Sequence, residues 1–390
     1  MKRIVAFALT LVILFAFIMQ AGAVNSDVPQ ASAVEAFSFL YFGDIQITEN
    51  AEADYAAWGE LAKGAVRRNP GATFALQGGD IVESGIDQKQ WDVFLKNADT
   101  ALGVLPFFPT NGNHESNFLS GKPELYLQTF NLPQNGPDGF KEEFYAFDYG
   151  DAHILVLNSW VFSGEQRLTD EDIARLDAWV AADLARSTAT WKIVLTHMPV
   201  YAVHSDVTAN KMREHWAKIF EKYGVSLVLV GHQHVYSRLK PMTGGAVDYK
   251  DGVTQIMGNS GRKHYSSANE TNAERTIYDT ATYQVIQLDG KSMTVQCFDG
   301  DGTELDFVAL SPRATNVTRL EYIETLWRAA GSPAPKGAHP FTDAPPSDAL
   351  AWSVETGLII GYGGSIFGTD DTVTHGQIAI IRERAAKNGG

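Results

Sequence analysis

The sequence predicts a layered α/β fold, mixed sheets covered by helices, and three observations predict it. Apolar runs of strand length alternate with amphipathic stretches of helical period from about Ala36 to Val230. Strand-like runs alone follow, from Val253 to Ala309. Five polar turns each come directly after a predicted strand, where open α/β sheets gather their ligands.

In chain order, Phe37–Phe42 is a short apolar strand ending in Gly43-Asp44. Ala53–Arg68 has helical character and stops at the breaker Asn69-Pro70-Gly71. Thr73–Leu76 is a second strand with a Gly-Asp turn at Asp80, and Leu105–Phe108 precedes Asn111-Gly112. Phe144–Tyr149 and His153–Asn158 read as a strand pair across Gly150-Asp151. Thr169 and Asp172 form a capping box for a helix with Ile173, Leu176, Trp179, Val180 and Leu184 on one face. A second helix aligns Met212, Trp216, Ile219 and Tyr223. Each helix feeds a buried-type strand: Lys192–Leu195 before Thr196-His197, and Ser226–Val230 before Gly231-His232. The strand-rich part comprises Val253–Met257, Tyr283–Leu288, Met293–Phe298 and Leu305–Ala309.

Lys2-Arg3, an apolar stretch from Ile4 to about Met19 and Ala21-Gly22-Ala23 read as an export leader over residues 1–23. No other stretch is apolar and long enough to span a bilayer, so the chain is expected to be extracytoplasmic, secreted or wall-associated, and not transmembrane once the leader is removed. The single cysteine, Cys297, excludes an intrachain disulfide and sits in an alternating stretch as a small strand residue. A net charge of −15 argues against nucleic acid as the main partner, because phosphate-backbone binding needs a basic surface.

The turns carry Asp44, Asp80, Asn113, His197, His232 and His234. Carboxylates, an amide and imidazoles form a mixed oxygen and nitrogen donor set suited to two metal ions such as Zn, Mn or Fe. A carboxylate bridging both would set them about 3.5–4 Å apart, the spacing used for in-line phosphoryl displacement.

In order and spacing, GD…GD…GNHE…H…GHxH resembles the calcineurin-like metallophosphoesterases, and among them the purple-acid-phosphatase-like bacterial enzymes, over residues 36–310. The resemblance implies a four-layer α/β/β/α sandwich and hydrolysis of small phosphate mono- or diesters by metal-activated water. By that resemblance Asp80 bridges the metals, Asn113, His197 and His232 complete one site, and Asp44 and His234 the other. His114 would protonate the leaving alkoxide or steady the phosphoryl group, with Glu115 orienting it. Two positions depart from the pattern. Gln46 stands where many relatives have a metal-binding His, and its amide oxygen is a weaker donor. Glu83 stands where the purple enzymes have a Tyr ligand, so no charge-transfer colour is expected.

His204 lies where related enzymes often put a substrate-facing His. Arg262, Lys263 and His264 follow Gly258-Asn259-Ser260-Gly261, a loop at the site's edge that either meets phosphate oxygens or is a solvated turn, the second being favoured. Tyr236 and Arg238 either line the pocket or pair within the fold, while His153 and His215 read as structural.

At Pro312 the composition changes. Residues 312–390 read as a small, mainly helical module: a helix from Val317 to Ala330, a Pro-rich link, a helix containing Trp352, and the turn GYGGSIFG. The region resembles about one and a half S-layer homology repeats, which implies contact with secondary cell-wall polymer through the arginine of a TRAE-like turn, here Arg319. A non-catalytic wall protein using a phosphoesterase fold as scaffold is the alternative reading.

Overall fold

The computed structural model describes residues 26–29, 36–46, 50–103, 105–117, 119–165 and 168–388; the leader expected at residues 1–23 lies outside them. From the amino end run β1 (Ala36–Phe42), α1 (Ala51–Arg68), β2 (Ala72–Gln77), α2 (Gln88–Leu102), β3 (Phe107–Pro109), α3 (Glu124–Thr129), β4 (Tyr145–Tyr149), β5 (Ala152–Leu157), α4 (Asp170–Arg186) and β6 (Trp191–Thr196). Helices α5 (Val207–Met212) and α6 (Lys218–Lys222) are joined by a π-helical stretch, Arg213–Ala217. Next come β7 (Val225–Val230), β8 (Tyr236–Leu239), β9 (Met242–Thr243), β10 (Ala246–Val247), β11 (Thr254–Met257) and β12 (Ala273–Ile277). The antiparallel meander β13 (Thr282–Asp289), β14 (Ser292–Asp299) and β15 (Glu304–Leu310) follows, then α7 (Arg319–Ala329), α8 (Asp348–Glu355) and α9 (His375–Asn388).

Two mixed sheets carry the molecule, in the orders β15-β14-β13-β1-β2-β3 and β12-β8-β11-β7-β6-β5-β4. Strands β1, β2 and β3 are parallel, as are β5, β6, β7 and β11. Strands β5, β6, β7 and β11 of the second sheet are buried on both faces, and side-chain alternation sorts their residues into two cores. Phe147, Ile154, Ile193, Leu195, Leu227 and Leu229 pack with β1, β2, α1 and α2 in one core. Their neighbours Ala146, Leu155, Val194, Val228 and Val230 pack with α4, α5 and α6 in the other. The result is the four-layer α/β/β/α sandwich.

The expected strands are present, and the capping box forms: Thr169 Oγ1 accepts from Asp172 N, while Asp172 Oδ2 accepts from Thr169 N. The sequence reading passed over α2, β8 and β12. Helix α2 is capped by Asp87 and buries Trp91, Phe94 and Ala98. Tyr236 and Arg238 pair within the fold, both donating to Asp306 and tying β8 to β15 at 2.7–3.0 Å.

The C-terminal helices share the outer core: Val317, Tyr322, Ile323, Leu350 and Phe367 join the residues packed under α4. The seam includes a Tyr223 hydroxyl to Thr325 Oγ1 hydrogen bond of 2.6 Å and a Lys222–Glu321 ion pair of 2.9 Å. Arg319 is 6 % exposed. Its Nε donates to the Phe367 carbonyl, and its guanidinium lies over the rings of Tyr362 and Phe367.

His153 and His215 each hold elements together. His215 Nδ1 and Trp216 Nε1 both reach Asp177 on α4, at 2.8 and 2.9 Å. The ring nitrogens of His153 face Asp148 Oδ1 at 2.7 Å and Asp183 Oδ2 at 2.8 Å, clamping β4, β5 and α4. Burial alone would favour the neutral ring, but Asp183 and Asp148 outweigh it and push His153 up to about 9. Because the folded value exceeds the unfolded one, this contribution is fully present below about pH 6.5 and is lost as pH rises through about 9. Denaturant midpoints should therefore fall between pH 6.5 and 9.5 by the equivalent of roughly 3 kcal/mol, and His153→Gln should flatten that dependence.

Candidate metal centre

All five polar turns lie at the carboxyl ends of β1, β2, β3, β6 and β7, where the two sheets meet. Short bonds bring the sheets together there. The Tyr41 hydroxyl donates to the Val230 carbonyl at 2.6 Å, and His197 Nδ1 meets the Gly78 carbonyl at 2.8 Å. The Asp44 carboxylate accepts from the backbone N–H of His232 at 2.8 Å. Such closeness leaves no room for side chains on the neighbouring turns. A Cβ on Gly231 would run into Asp44 Oδ1, and one on Gly112 into Asp80 Oδ1.

Asp80, His232 and His234 have φ of 52°, 74° and 45°, a left-handed backbone uncommon for residues other than glycine. Strain of this kind persists where surrounding structure over-determines it, and it gathers at functional sites.

The structure brings Asp44, Asp80, Asn113, His197, His232 and His234 together. Asp80, His197 and His232 offer donor atoms within 4.8 Å of one another, as do Asp44, Asp80 and His234, so Asp80 is common to both groups. Around His197 Nε2 lie Asn113 Oδ1 at 3.1 Å, His232 Nδ1 at 3.2 Å and Asp80 Oδ2 at 3.2 Å. With the Gly78 carbonyl taking the proton of His197 Nδ1, and Asp206 Oδ2 taking that of His232 Nε2 at 2.9 Å, the inward nitrogens are left as acceptors. Once His197 Nε2 gives up its own proton, four lone pairs converge without a hydrogen to share. In the second group, Asp44 Oδ2 and His234 Nδ1 are buried 3.5 Å apart, and neither has a hydrogen-bond partner. Buried acceptors without donors are costly, and a cation in each group would satisfy them. The residues fit two metal ions.

The electrostatics agree. Burial opposes charge on His197, yet Asp80 and Asp44 push it up to about 10. Against the upward push of burial, His197 and His114 hold Asp80 far below the usual carboxylate range. Burial raises Asp44 to about 7 and lowers His234 to about 3. A cation held here would take the place of the proton on His197 Nε2, so loading would release protons.

The two positions that depart from the family pattern touch each other. Gln46 Nε2 donates to Glu83 Oε2 at 2.7 Å and lies 3.4 Å from His114 Nε2. With the amide nitrogen turned to the Glu83 carboxylate, Gln46 Oε1 is left buried and without a partner. His114 is held at Nδ1 by the Glu83 carbonyl at 2.7 Å, with its Nε2 4.0 Å from Asp80 Oδ2.

Glu115 does not take the part the resemblance implies. Its fully buried carboxylate accepts from Asp80 N (2.8 Å), Ile81 N (2.7 Å), Val82 N (3.1 Å) and Gly112 N (2.6 Å). It clamps the strained Asp80 turn and leaves the orientation of His114 to Glu83. The reason is geometric: after Gly112 the chain turns back under Asp80, and the carboxylate meets unpaired N–H groups there.

His204 lies at the rim with its Nε2 buried and unpartnered, its ring edge-on to Tyr265 at 5.1 Å. Tyr265 also contacts His234, at 4.9 Å. The loop at the site's edge keeps Arg262 exposed while its backbone is pinned to the site. Ser260 N and Gly261 N donate to the Asp44 carbonyl, and the Asn259 side chain donates to the Lys263 carbonyl and to His264 Nδ1. Lys263 Nζ sits 3.7 Å from Glu83 Oε2, and Arg262 pairs with Asp54 at 3.3 Å. The sequence reading missed Asp206 and Tyr265. An Asp capping α5 was visible as a helix signal, but nothing local tied it to His232.

A family model described as calcineurin-like phosphoesterase matches residues 37–236, just over half of the chain. Purple acid phosphatase 18 of Arabidopsis thaliana is 25 % identical over 193 residues, covering 47 % of this chain and 43 % of that protein. The Fe(3+)-Zn(2+) purple acid phosphatase 12 of the same plant is 22 % identical over 180 residues, covering 43 % and 37 %. The chain thus matches less than half the length of these relatives. A purple acid phosphatase structure from yellow lupin (Lupinus luteus) seeds superposes with a TM-score of 0.58 at 17 % identity, over 73 % of this chain and 55 % of that one, a likeness of fold. With strand-end donors converging in two groups that share Asp80, and a family model running from β1 through the His234 turn, this chain belongs to the calcineurin-like phosphoesterase family.

Proposed function

We propose that the chain is an exported, dinuclear-metal-dependent hydrolase of phosphate mono- or diesters. The observation that carries the reading is the convergence of donor atoms: three around His197 Nε2 at 3.1–3.2 Å, and a second group sharing Asp80 in which Asp44 Oδ2 and His234 Nδ1 are buried without a partner. Asp80, Asn113, His197 and His232 would hold one ion, and Asp44, Asp80, His234 and the Gln46 oxygen the other, drawn from Zn, Mn or Fe. The ions supply positive charge against phosphoryl oxygens and lower the pKa of the attacking water.

The chain's own residues do the rest. Asp206 and the Gly78 carbonyl fix the tautomers of His232 and His197, keeping their lone pairs inward. His114, its Nδ1 on the Glu83 carbonyl, presents Nε2 as the proton donor for the departing alkoxide. Glu83 lacks the phenolate of the purple enzymes, so the loaded protein should be colourless.

Residues 1–23 are read as the export leader and 312–390 as an incomplete S-layer homology region meeting acidic wall polymer. With Arg319 buried, that contact would fall to exposed neighbours such as Ile360 and Tyr362. A purely scaffolding role is disfavoured, because keeping so many unpartnered acceptors buried would be costly without cations.

Metal quantification with a panel of mono- and diesters tests the reading. About two ions per chain and release of phosphate or a phosphomonoester are expected; less than one ion and no turnover on any ester would reject it. Gln46→Ala should weaken one of the two ions by roughly 10- to 100-fold, measured by metal titration, and leave the other unchanged.

A further inference from the structure

The loop from Gly258 to Tyr265 is built onto the centre rather than hung beside it. Gly258 N donates to the Val230 carbonyl, Ser260 N and Gly261 N to the Asp44 carbonyl, and Tyr265 N to the His234 carbonyl. Asn259, fully buried, pins the return of the loop through its side-chain amide. Every anchor is a residue of the donor set or its strand-end neighbour, so the end of the loop is fixed relative to the reacting phosphate.

What this loop delivers to the rim is an aromatic ring. Tyr265 meets His234 at 4.9 Å with the planes at 60°, and His204 at 5.1 Å with the planes at 89°. These two edge contacts hold the ring upright, while 38 % of the residue stays open to solvent. A phosphate on the two donor groups would carry its organic group out past the rim, within reach of a ring that already touches one donor imidazole.

We propose that Tyr265 is a specificity-determining residue of the centre, offering its ring to a planar, aromatic ester group, with His204 as the positioning residue that holds the ring. The inference rests on the phosphoester reading of the site and deepens it by naming a substrate class. Aromatic contacts contribute about 0.5–1.5 kcal/mol beyond area burial, a preference of roughly 2- to 12-fold.

The test uses binding as well as turnover, on the metal-loaded full chain. Calorimetry with phenylphosphonate and methylphosphonate should show the phenyl compound binding about fivefold tighter to the wild type. Tyr265→Phe should keep that preference, Tyr265→Ala should abolish it, and His204→Ala should reduce it, with metal content and thermal midpoint unchanged in all three. In turnover, Tyr265→Ala should raise the KM for phenyl phosphate relative to that for methyl phosphate about fivefold. No phenyl preference in the wild type, or the same preference in Tyr265→Ala, overturns the proposal. A phenyl preference that depends on Tyr265, in a protein that hydrolyses no ester, would sink the hydrolytic reading and leave this one standing.

Discussion

Asp80→Asn is expected to remove phosphoester turnover by well over 100-fold and to take the metal content below one ion per chain. Losses of roughly 10- to 100-fold are usual when only a residue behind a ligand is changed, and Asp80 belongs to both donor groups. The replacement is nearly isosteric, and Asn, like Asp, tolerates the left-handed backbone that Asp80 adopts at φ 52°. An amide oxygen in place of Oδ1 still accepts the His114 N–H, now 3.1 Å away. The change falls on Oδ2, 3.2 Å from His197 Nε2, where an NH2 would donate into the lone pair that a cation needs. The variant should therefore fold, melt close to the wild type and bind no bridged pair. Turnover within twofold of wild type, with two ions still bound, would reject the dinuclear reading.

How far the sequence reaches is clearest residue by residue. Asp44, Asp80, His197 and His232 follow apolar runs whose strand character was visible, and a strand end is a local signal. The sorting of Leu155 and Ile154, or Val194 and Ile193, into opposite cores is likewise a period-2 pattern. Helix α2 was missed, because Ala98 and Ala101 thin the stripe that Trp91 and Phe94 begin. Asp206, Tyr265 and the pairing of Gln46 with Glu83 were not legible. Each depends on the path of a loop: Asp206 meets a residue 26 positions further on, and Gln46 meets Glu83 37 positions away. Periodicity carries no information about such meetings. The role of Glu115 failed for the same reason, since its four donors come from two turns that only the folded sheet brings together.

Glu115→Gln is expected to be the most destabilising single change at the centre, although Glu115 belongs to neither donor group. Oε1 accepts from Ile81 N and Val82 N, and Oε2 from Asp80 N and Gly112 N. Whichever way the amide is turned, its NH2 faces two backbone N–H groups, so two hydrogen bonds are lost and two buried donors are stranded. At about 1–3 kcal/mol for each stranded group, the loss is about 3 kcal/mol or more. The Asp80 turn is also released from its strained backbone, so metal affinity should fall with the denaturation midpoint. His114→Ala gives the contrast. That imidazole is a quarter exposed, and its removal should lower turnover while leaving the melting midpoint and metal content close to wild type. If Glu115→Gln instead kept full stability and full metal content, and lost only the turnover that His114→Ala loses, Glu115 would be the orienting partner of His114 and not the clamp of the Asp80 turn.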